Sequence, residues 1–477
     1  MLPKNQNQKN LSAGESGTTS IRDDISIPKL RNLFKGQVIT PGDEGYDQAR
    51  TIFYGGVDSR PAVIIRVADE TDVSNVITLA RDTGLELAVR SGGHSAAGHS
   101  VTDGGIVLDL KNMRALEIDA SKQTAWAQTG LTAGEYSVAA DEYGLATGFG
   151  DTGSVGIGGI TVGGGIGFLT RKFGMTIDSL MAANVVTADG KLLRTDPENH
   201  PDLFWAIRGG GGNFGVATRF KYRLHEVSTA YGGILILPAT PEVITSFLEE
   251  AQAAPEELTT IANIMSAPPM PFLPAEVHGK IILMAMMVYA GPVEAGERAV
   301  APFRALANTL ADMLRPMRYP EIFMPEEGDY HPTAVGRTLF MDNVDLDTAR
   351  TIVDYLESSD AMMRVAQIRV LGGAMARVSP DASAFAHRYR KIMAGFYAFY
   401  NGPEDKQKRE AWVRALTGQM EQGKPGAYVN FMGEDGARWI HDAYPDKTWE
   451  RLRTIKARYD PENIFHLNQN IPPKTQE

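Results

Sequence analysis

Half of the residues between Gly148 and Gly167 are glycine, in the run GFGDTGSVGIGGITVGGGIG. No other feature of the chain narrows its fold so much. Glycine inside an ordinary helix or strand costs about 0.5–1 kcal/mol relative to alanine, so so dense a run implies close approach of backbone to something else. Successive N–H groups without Cβ atoms can line one concavity, a shape that suits a diphosphate. Two shorter groups repeat the theme. Arg90-Ser91-Gly92-Gly93-His94-Ser95 is followed by Gly98, and four glycines from Gly209 to Gly212 run into Asn213-Phe214-Gly215 and Val216.

The letters of a dinucleotide fingerprint occur twice, at Gly148-x-Gly150-x-x-Gly153 and Gly210-x-Gly212-x-x-Gly215. Neither opens a clear helix in a βαβ unit with an acidic residue about twenty positions on, so a Rossmann unit is set aside. No Walker pattern is present. His94 and His99 are five residues apart, with no further ligand set suggested nearby, so no metal site is expected.

The surrounding pattern is α+β. Val73, Val76, Ile77 and Ala80 follow the spacing of a helix with one buried face. Residues 86–90, 105–110 and 124–130 read as strands. Thr132-x-x-Glu135 is a capping box, and Gly144 is the expected stop of the helix it opens. Asp189-Gly190 predicts a tight hairpin. Val216, Thr218, Phe220, Tyr222 and Leu224 alternate with polar residues, as in a half-buried strand. Beyond about residue 228, proline clusters appear, and helical stretches alternate with strand candidates at IILMAMMVYAG, RVAQIRVLGGA and AGFYAFY. A last helix is predicted over 448–459, stopping before Asp460-Pro461.

Composition excludes several classes. There is no cysteine, hence no disulfide, thiolate metal site or cysteine nucleophile. The 47 basic and 58 acidic residues leave a net charge of −11, which disfavours nucleic acid and anionic membrane surfaces as partners. No run of about 18 apolar residues suggests a membrane span. The first 25 residues are polar, lack the apolar core of a signal peptide, and read as a flexible tail. A cytoplasmic location is the expectation.

RSGGHS, VGIGGITVGGGIG, RKFGMTIDSL, FWAIRGGGGNFGVAT and the terminal YDPENIFHLNQNI, in that order, resemble the berberine-bridge-enzyme-like branch of the vanillyl-alcohol oxidase/p-cresol methylhydroxylase superfamily. The resemblance covers most of residues 50–227 and the last fifty residues. It implies a two-part FAD-binding module of the p-cresol methylhydroxylase type over 26–227 and 428–477. Residues 228–427 would form a substrate-binding domain, an antiparallel sheet backed by helices. It implies a flavin bonded to His94, in a cradle of Arg90, Ser91, Gly92, Gly93, Ser95 and Gly98. Gly150, Asp151, Thr152, Val155, Gly156, Gly158, Gly159, Gly163, Gly164 and Gly165 would continue that cradle. Gly215, Val216, Asn468 and Asn470 would complete it. Many relatives carry a second flavin bond from a cysteine. Thr152 stands at that position here, so the link is expected through His94 only. A histidine beside glycines also reads as a plain hydrogen-bonding group.

On the substrate side, Gln367 and Arg369 share one face of a strand with Val365 and Leu371, while Ala366, Ile368 and Val370 share the other. The polar face reads either as solvent-facing or as a pocket wall. Tyr428-x-Asn430 matches the family motif whose tyrosine serves as base, with Arg369 the candidate cation beside it. The implied function is an oxidase that takes a hydride from an alcohol, a sugar-like hydroxyl or a similar small metabolite and reduces O₂ to H₂O₂. A dehydrogenase with another acceptor and a flavin carrier without turnover are the rivals.

Overall fold

The computed structural model describes residues 26–325, 330–434 and 436–475; the tail expected over 1–25 lies outside the described residues. Three sheets carry the architecture. The first is small. Val63–Arg66, Ile106–Asp109 and Leu87–Arg90 run parallel, and Gln37–Ile39 closes one edge antiparallel. The helix Glu70–Thr83 covers it with the predicted apolar face, Val73, Val76, Ile77 and Ala80. Asp69 starts this helix by accepting from the N–H groups of Thr71 and Asp72, and Gly84 ends it at φ +63°.

The second sheet is antiparallel and orders its strands Leu116–Asp119, Thr124–Gln128, Val216–Arg223, Leu180–Val186, Leu192–Thr195. Val216–Arg223 alternates buried and half-buried positions as predicted. The capping box at Thr132 and Glu135 forms, but its helix stops at Asp141. Two tighter i→i+3 bonds, at Tyr143 and Gly144, carry the chain on to Gly144 at φ +67°. The C-terminal helices Gly436–Ala443 and Asp446–Tyr459 pack into the core of this second sheet through Ile440, Tyr444, Leu452 and Ile455.

The third sheet draws all its strands from residues 230–399 and has eight of them, paired antiparallel throughout. Helices Pro241–Ala253, Val293–Arg304, Leu346–Ser358 and Pro403–Met420 cover one face. There Leu235, Ile264, Leu283, Ala366, Ile368 and Val370 bury against Phe247, Phe303 and Leu416. The strand register fixes what lies on the opposite face. One row runs Ile234, Met286, Ile261, Arg369, Met393, Phe340; the next runs Ile236, Met284, Asn263, Gln367, Gly395, Thr338. That face turns toward the glycine-rich turns of the other two sheets. Among the described residues, no helix is long and apolar enough to cross a membrane.

Candidate active site

The glycine turns meet each other backbone to backbone. A Cβ on Gly92 would collide with the amide nitrogen of Gly156, and a Cβ on Gly156 with that of Gly92. Ser91 locks the contact: its hydroxyl donates to the Thr129 carbonyl (2.6 Å) and accepts the Gly158 N–H (3.2 Å). Gly93 and Gly98 sit at φ +75° and +73°, and Ser95 closes the turn by accepting the Gly98 N–H. Gly156 caps the helix Ile157–Gly163, whose opening N–H groups are taken by the Leu131 carbonyl (from Ile157) and the Ser91 hydroxyl (from Gly158), so it is the positive end of the helix dipole that lies beside Val155 and Gly159. Gly159 is exposed, and a Cβ there would meet nothing within 4 Å.

His94 stands at the edge of this cradle. Its Nε2 lies 2.8 Å from the Ser154 hydroxyl, and its ring stacks on Phe53 at 4.1 Å. Burial pulls its pKa down to about 4, so the ring is neutral at ordinary pH and keeps a nitrogen lone pair. Arg90 is turned away into the sheet, where it pairs with Asp109 at 2.9 Å and leaves Nη1 buried without a partner.

The glycines at 163, 164 and 165 have another cause. The room their missing Cβ atoms leave is taken by Asn430, by Met175 and Tyr428, and by Thr176 respectively. The Gly164 and Gly165 N–H groups donate within the protein, to the Thr161 carbonyl and the Tyr428 oxygen. This end of the run is therefore shaped by side-chain packing, where the sequence suggested a cofactor cradle.

Tyr428 also departs from expectation. Its oxygen accepts from the N–H groups of Gly165 (2.8 Å) and Ile166 (3.3 Å) and from Asn430 Nδ2 (2.9 Å). The side chain is fully enclosed, and burial pushes its pKa up to about 12 despite those three donors. A phenol so enclosed pins the glycine turn to the C-terminal segment; it is badly placed to serve as the base. Phe431, three positions on, lies under Arg369 with the guanidinium 5.3 Å from the ring centroid.

Across the cleft, Arg369 is buried at 5% exposure, which excludes the solvent-facing reading of its strand. It donates to Asp151 and to Gln367 Oε1, and Gln367 Nε2 donates to Asn263 Oδ1 at 2.9 Å. One guanidinium nitrogen of Arg369, Nη1, is buried with no partner. Thr152 donates to Asp151 Oδ1 at 3.2 Å. Two aromatic residues complete the wall. Tyr397 lies over Gly336 and Gly395, where a Cβ would strike its ring, and Tyr54 feels the Asp151 charge. No motif in the sequence singles out Tyr54, and Tyr397 is one of the four aromatic residues in the strand candidate AGFYAFY.

The C-terminal segment is stitched to the third glycine group. Lys456 Nζ, wholly buried, donates to Asp460, to the Asn213 carbonyl and to the Phe465 carbonyl. Asn213 in turn bonds the Gln469 carbonyl and the Ile471 N–H. Gly215, at φ +146°, passes so close to Val186 that a Cβ would meet its carbonyl oxygen, and Val216 beside it is buried. This brings Asn468 and Asn470 inward, each with a buried Oδ1 that has no partner. A buried polar atom left unpaired costs about 1–3 kcal/mol. Two such acceptors, with the Cβ-free space beside Gly159, fit a bound group bearing amide and phosphate functions. FAD is such a group.

A family model described as FAD binding domain matches residues 61–196, and one described as berberine and berberine like matches 427–472. An uncharacterized FAD-linked oxidoreductase of Bacillus subtilis is 30% identical, over 92% of this chain and 97% of its own. The solved 6-hydroxy-D-nicotine oxidase of Arthrobacter nicotinovorans superposes with a TM-score of 0.83 at 27% identity, covering 92% of this chain and 98% of its own. A glucooligosaccharide oxidase of Acremonium strictum, an enzyme described with a 6-S-cysteinyl, 8α-N1-histidyl FAD, shares the fold with a TM-score of 0.81 at 23% identity, covering 92% of this chain and 98% of its own. The chain belongs to the berberine-bridge-enzyme-like FAD-linked oxidoreductases.

Proposed function

We propose that the chain is a covalent-FAD oxidase whose flavin is bonded through His94 alone. It oxidises a hydroxyl-bearing or similar small metabolite and passes the electrons to O₂, yielding H₂O₂. The observation that carries this reading is His94, neutral and held against Ser154 at the lip of a cleft whose backbone walls carry no Cβ atoms. Thr152, which has no sulfur to offer, leaves this histidine as the single attachment point. When bound, the flavin supplies the redox chemistry. The protein supplies position: the backbone at Gly159 leaves open space, Asn468 and Asn470 offer their oxygens, and the Arg369–Gln367–Asn263 chain faces the substrate.

The test is anaerobic mixing of the purified holoenzyme with 6-hydroxy-D-nicotine, cellobiose and benzyl alcohol, within a wider set of alcohols, sugars and aromatic metabolites. An oxidase bleaches its flavin with a substrate and recovers the colour when air is admitted. A dehydrogenase bleaches but recovers only with a dye or quinone, and a flavin carrier does not bleach at all.

Val155 supplies a sharper prediction. It is half-buried, with its carbonyl tied to the Ala133 N–H at 2.8 Å, so its side chain cannot drift far. In the family, the residue opening this turn borders the place where O₂ meets the flavin. Isoleucine adds one methylene to a tightly packed wall, enough to close a space the size of O₂. Val155→Ile is expected to slow reoxidation about tenfold, a rise of ~1.4 kcal/mol in the barrier. Reduction by substrate stays at the wild-type rate in the same stopped-flow experiment.

A further inference from the structure

The cleft holds several groups that could take a proton from a substrate hydroxyl, and the structure separates them. Tyr428 is saturated with donors and enclosed. Phe431, beside Arg369, has nothing to ionise. Tyr54 is pushed up to about 12 by burial, and Tyr397 is raised further for the same reason, with Arg369 offsetting only part of it. Near neutral pH these phenols keep their protons and act as donors.

Asp151 is different. Among the described residues it is the one carboxylate whose charge reaches Tyr54, Tyr397 and His94 together. Its side chain keeps 21% exposure, so one edge stays open to the cleft. Its two oxygens are held by Arg369 and by the Thr152 hydroxyl. Beside it, Arg369 Nη1 is a buried donor without a partner. An open acceptor next to an unsatisfied cationic donor is the complement of a C–O–H group: the oxygen accepts from Arg369 while the hydrogen points to the carboxylate.

We propose that Asp151 is the catalytic base of this enzyme and that Arg369 binds the same substrate oxygen. The proposal rests on the oxidase reading. A bound flavin would accept the hydride as the substrate C–H bond breaks; the O–H bond breaks with it and its proton goes to the Asp151 carboxylate. The carbon–oxygen double bond forms, and the Arg369 charge stabilises the negative charge that gathers on oxygen. The carboxylic acid then releases its proton to water at its exposed edge. The groups facing Asp151 are Thr152, Arg369, Tyr54, Tyr319, Tyr397 and His94. In that set the tyrosines stay protonated in acid, whereas a carboxylate and the His94 imidazole both lose their basic forms there, so the Asp151 variants decide which of the two the acid limb reports.

The experiment measures anaerobic flavin reduction against pH, using whichever of cellobiose and benzyl alcohol, each with an oxidisable H–C–O–H, reduces the wild type faster. The wild-type rate should fall toward acid pH and stay flat above. Asp151→Asn should reduce roughly 10²–10⁴-fold more slowly, the usual worth of a general base, and lose that acid limb. Asp151→Glu should restore part of the rate with the limb. Equilibrium binding of the oxidised product, read from the flavin spectrum without turnover, should be unchanged in Asp151→Asn, because the product has no proton to give. A variant as fast as wild type overturns the proposal. So does a slow variant that keeps the wild-type acid limb, because that outcome makes Asp151 a positioner of Arg369 only. A wild type reduced by neither probe counts against the oxidase reading, and the proposal falls with it.

Discussion

Lys456→Met is expected to destabilise the protein by about 3–5 kcal/mol, the cost of leaving a buried partner charge unpaired. Methionine fills the space of the lysine stem, so packing is nearly conserved and the lost charge dominates. Lys456 and Asp460 have no exposed side-chain surface, and burial already holds the ammonium below its usual range. Removing Lys456 strips one partner from Asp460, which keeps only the Ile464 and Phe465 N–H groups. The Asn213 carbonyl loses its buried donor too. Denaturant unfolding read by tryptophan fluorescence measures the loss. A change under about 1 kcal/mol would place this pair among those of no more consequence than a surface salt bridge. The same substitution frees the segment that carries Asn468 and Asn470, so the variant should also hold its cofactor less tightly.

Gly165→Ala is expected to cost roughly 2–5 kcal/mol, from about 1–2 for a side chain in the left-handed region and about 1–3 for overpacking. Gly165 sits at φ +78°, and a Cβ there would run into the Thr176 hydroxyl, itself committed to the Gly148 carbonyl at 2.6 Å. Gly159→Ala is the contrast. It meets no neighbour and lies inside a helix, where alanine is favoured over glycine by up to about 1 kcal/mol. Its thermal midpoint should match or exceed that of wild type, while flavin content falls because the methyl enters the cradle. Thermal melts and flavin-to-protein absorbance ratios on the two variants separate a glycine demanded by the fold from one demanded by the ligand. Equal behaviour of the two would undo that distinction.

The sequence made these glycines conspicuous but did not sort them. Density of glycine reports close approach, and close approach to a side chain looks the same in one dimension as close approach to a phosphate. Local signals were legible because they are local: the Thr132–Glu135 capping box, the alternation through Val216–Arg223, and the helix face from Val73 to Ala80. The strand Leu258–Ser266 is buried at every position, since the sheet is covered on both faces, and so offers no alternation to read. The enclosure of Tyr428 was illegible for a related reason. Its oxygen is claimed by N–H groups more than 260 positions earlier, a partnership no spacing rule contains. Asp151 gains its meaning from Arg369, 218 positions away, and the sequence recorded it only as one residue of a glycine run.

The measurement that bears most directly on the whole account is the mass of the denatured polypeptide. After acid precipitation and washing, the wild-type chain should remain yellow and carry one FAD, with the added mass on the peptide that contains His94. His94→Ala should bind FAD and release all of it on the same treatment, because the backbone cradle survives without the bond. A wild type that frees its flavin completely, or carries it on another peptide, contradicts the single attachment through His94.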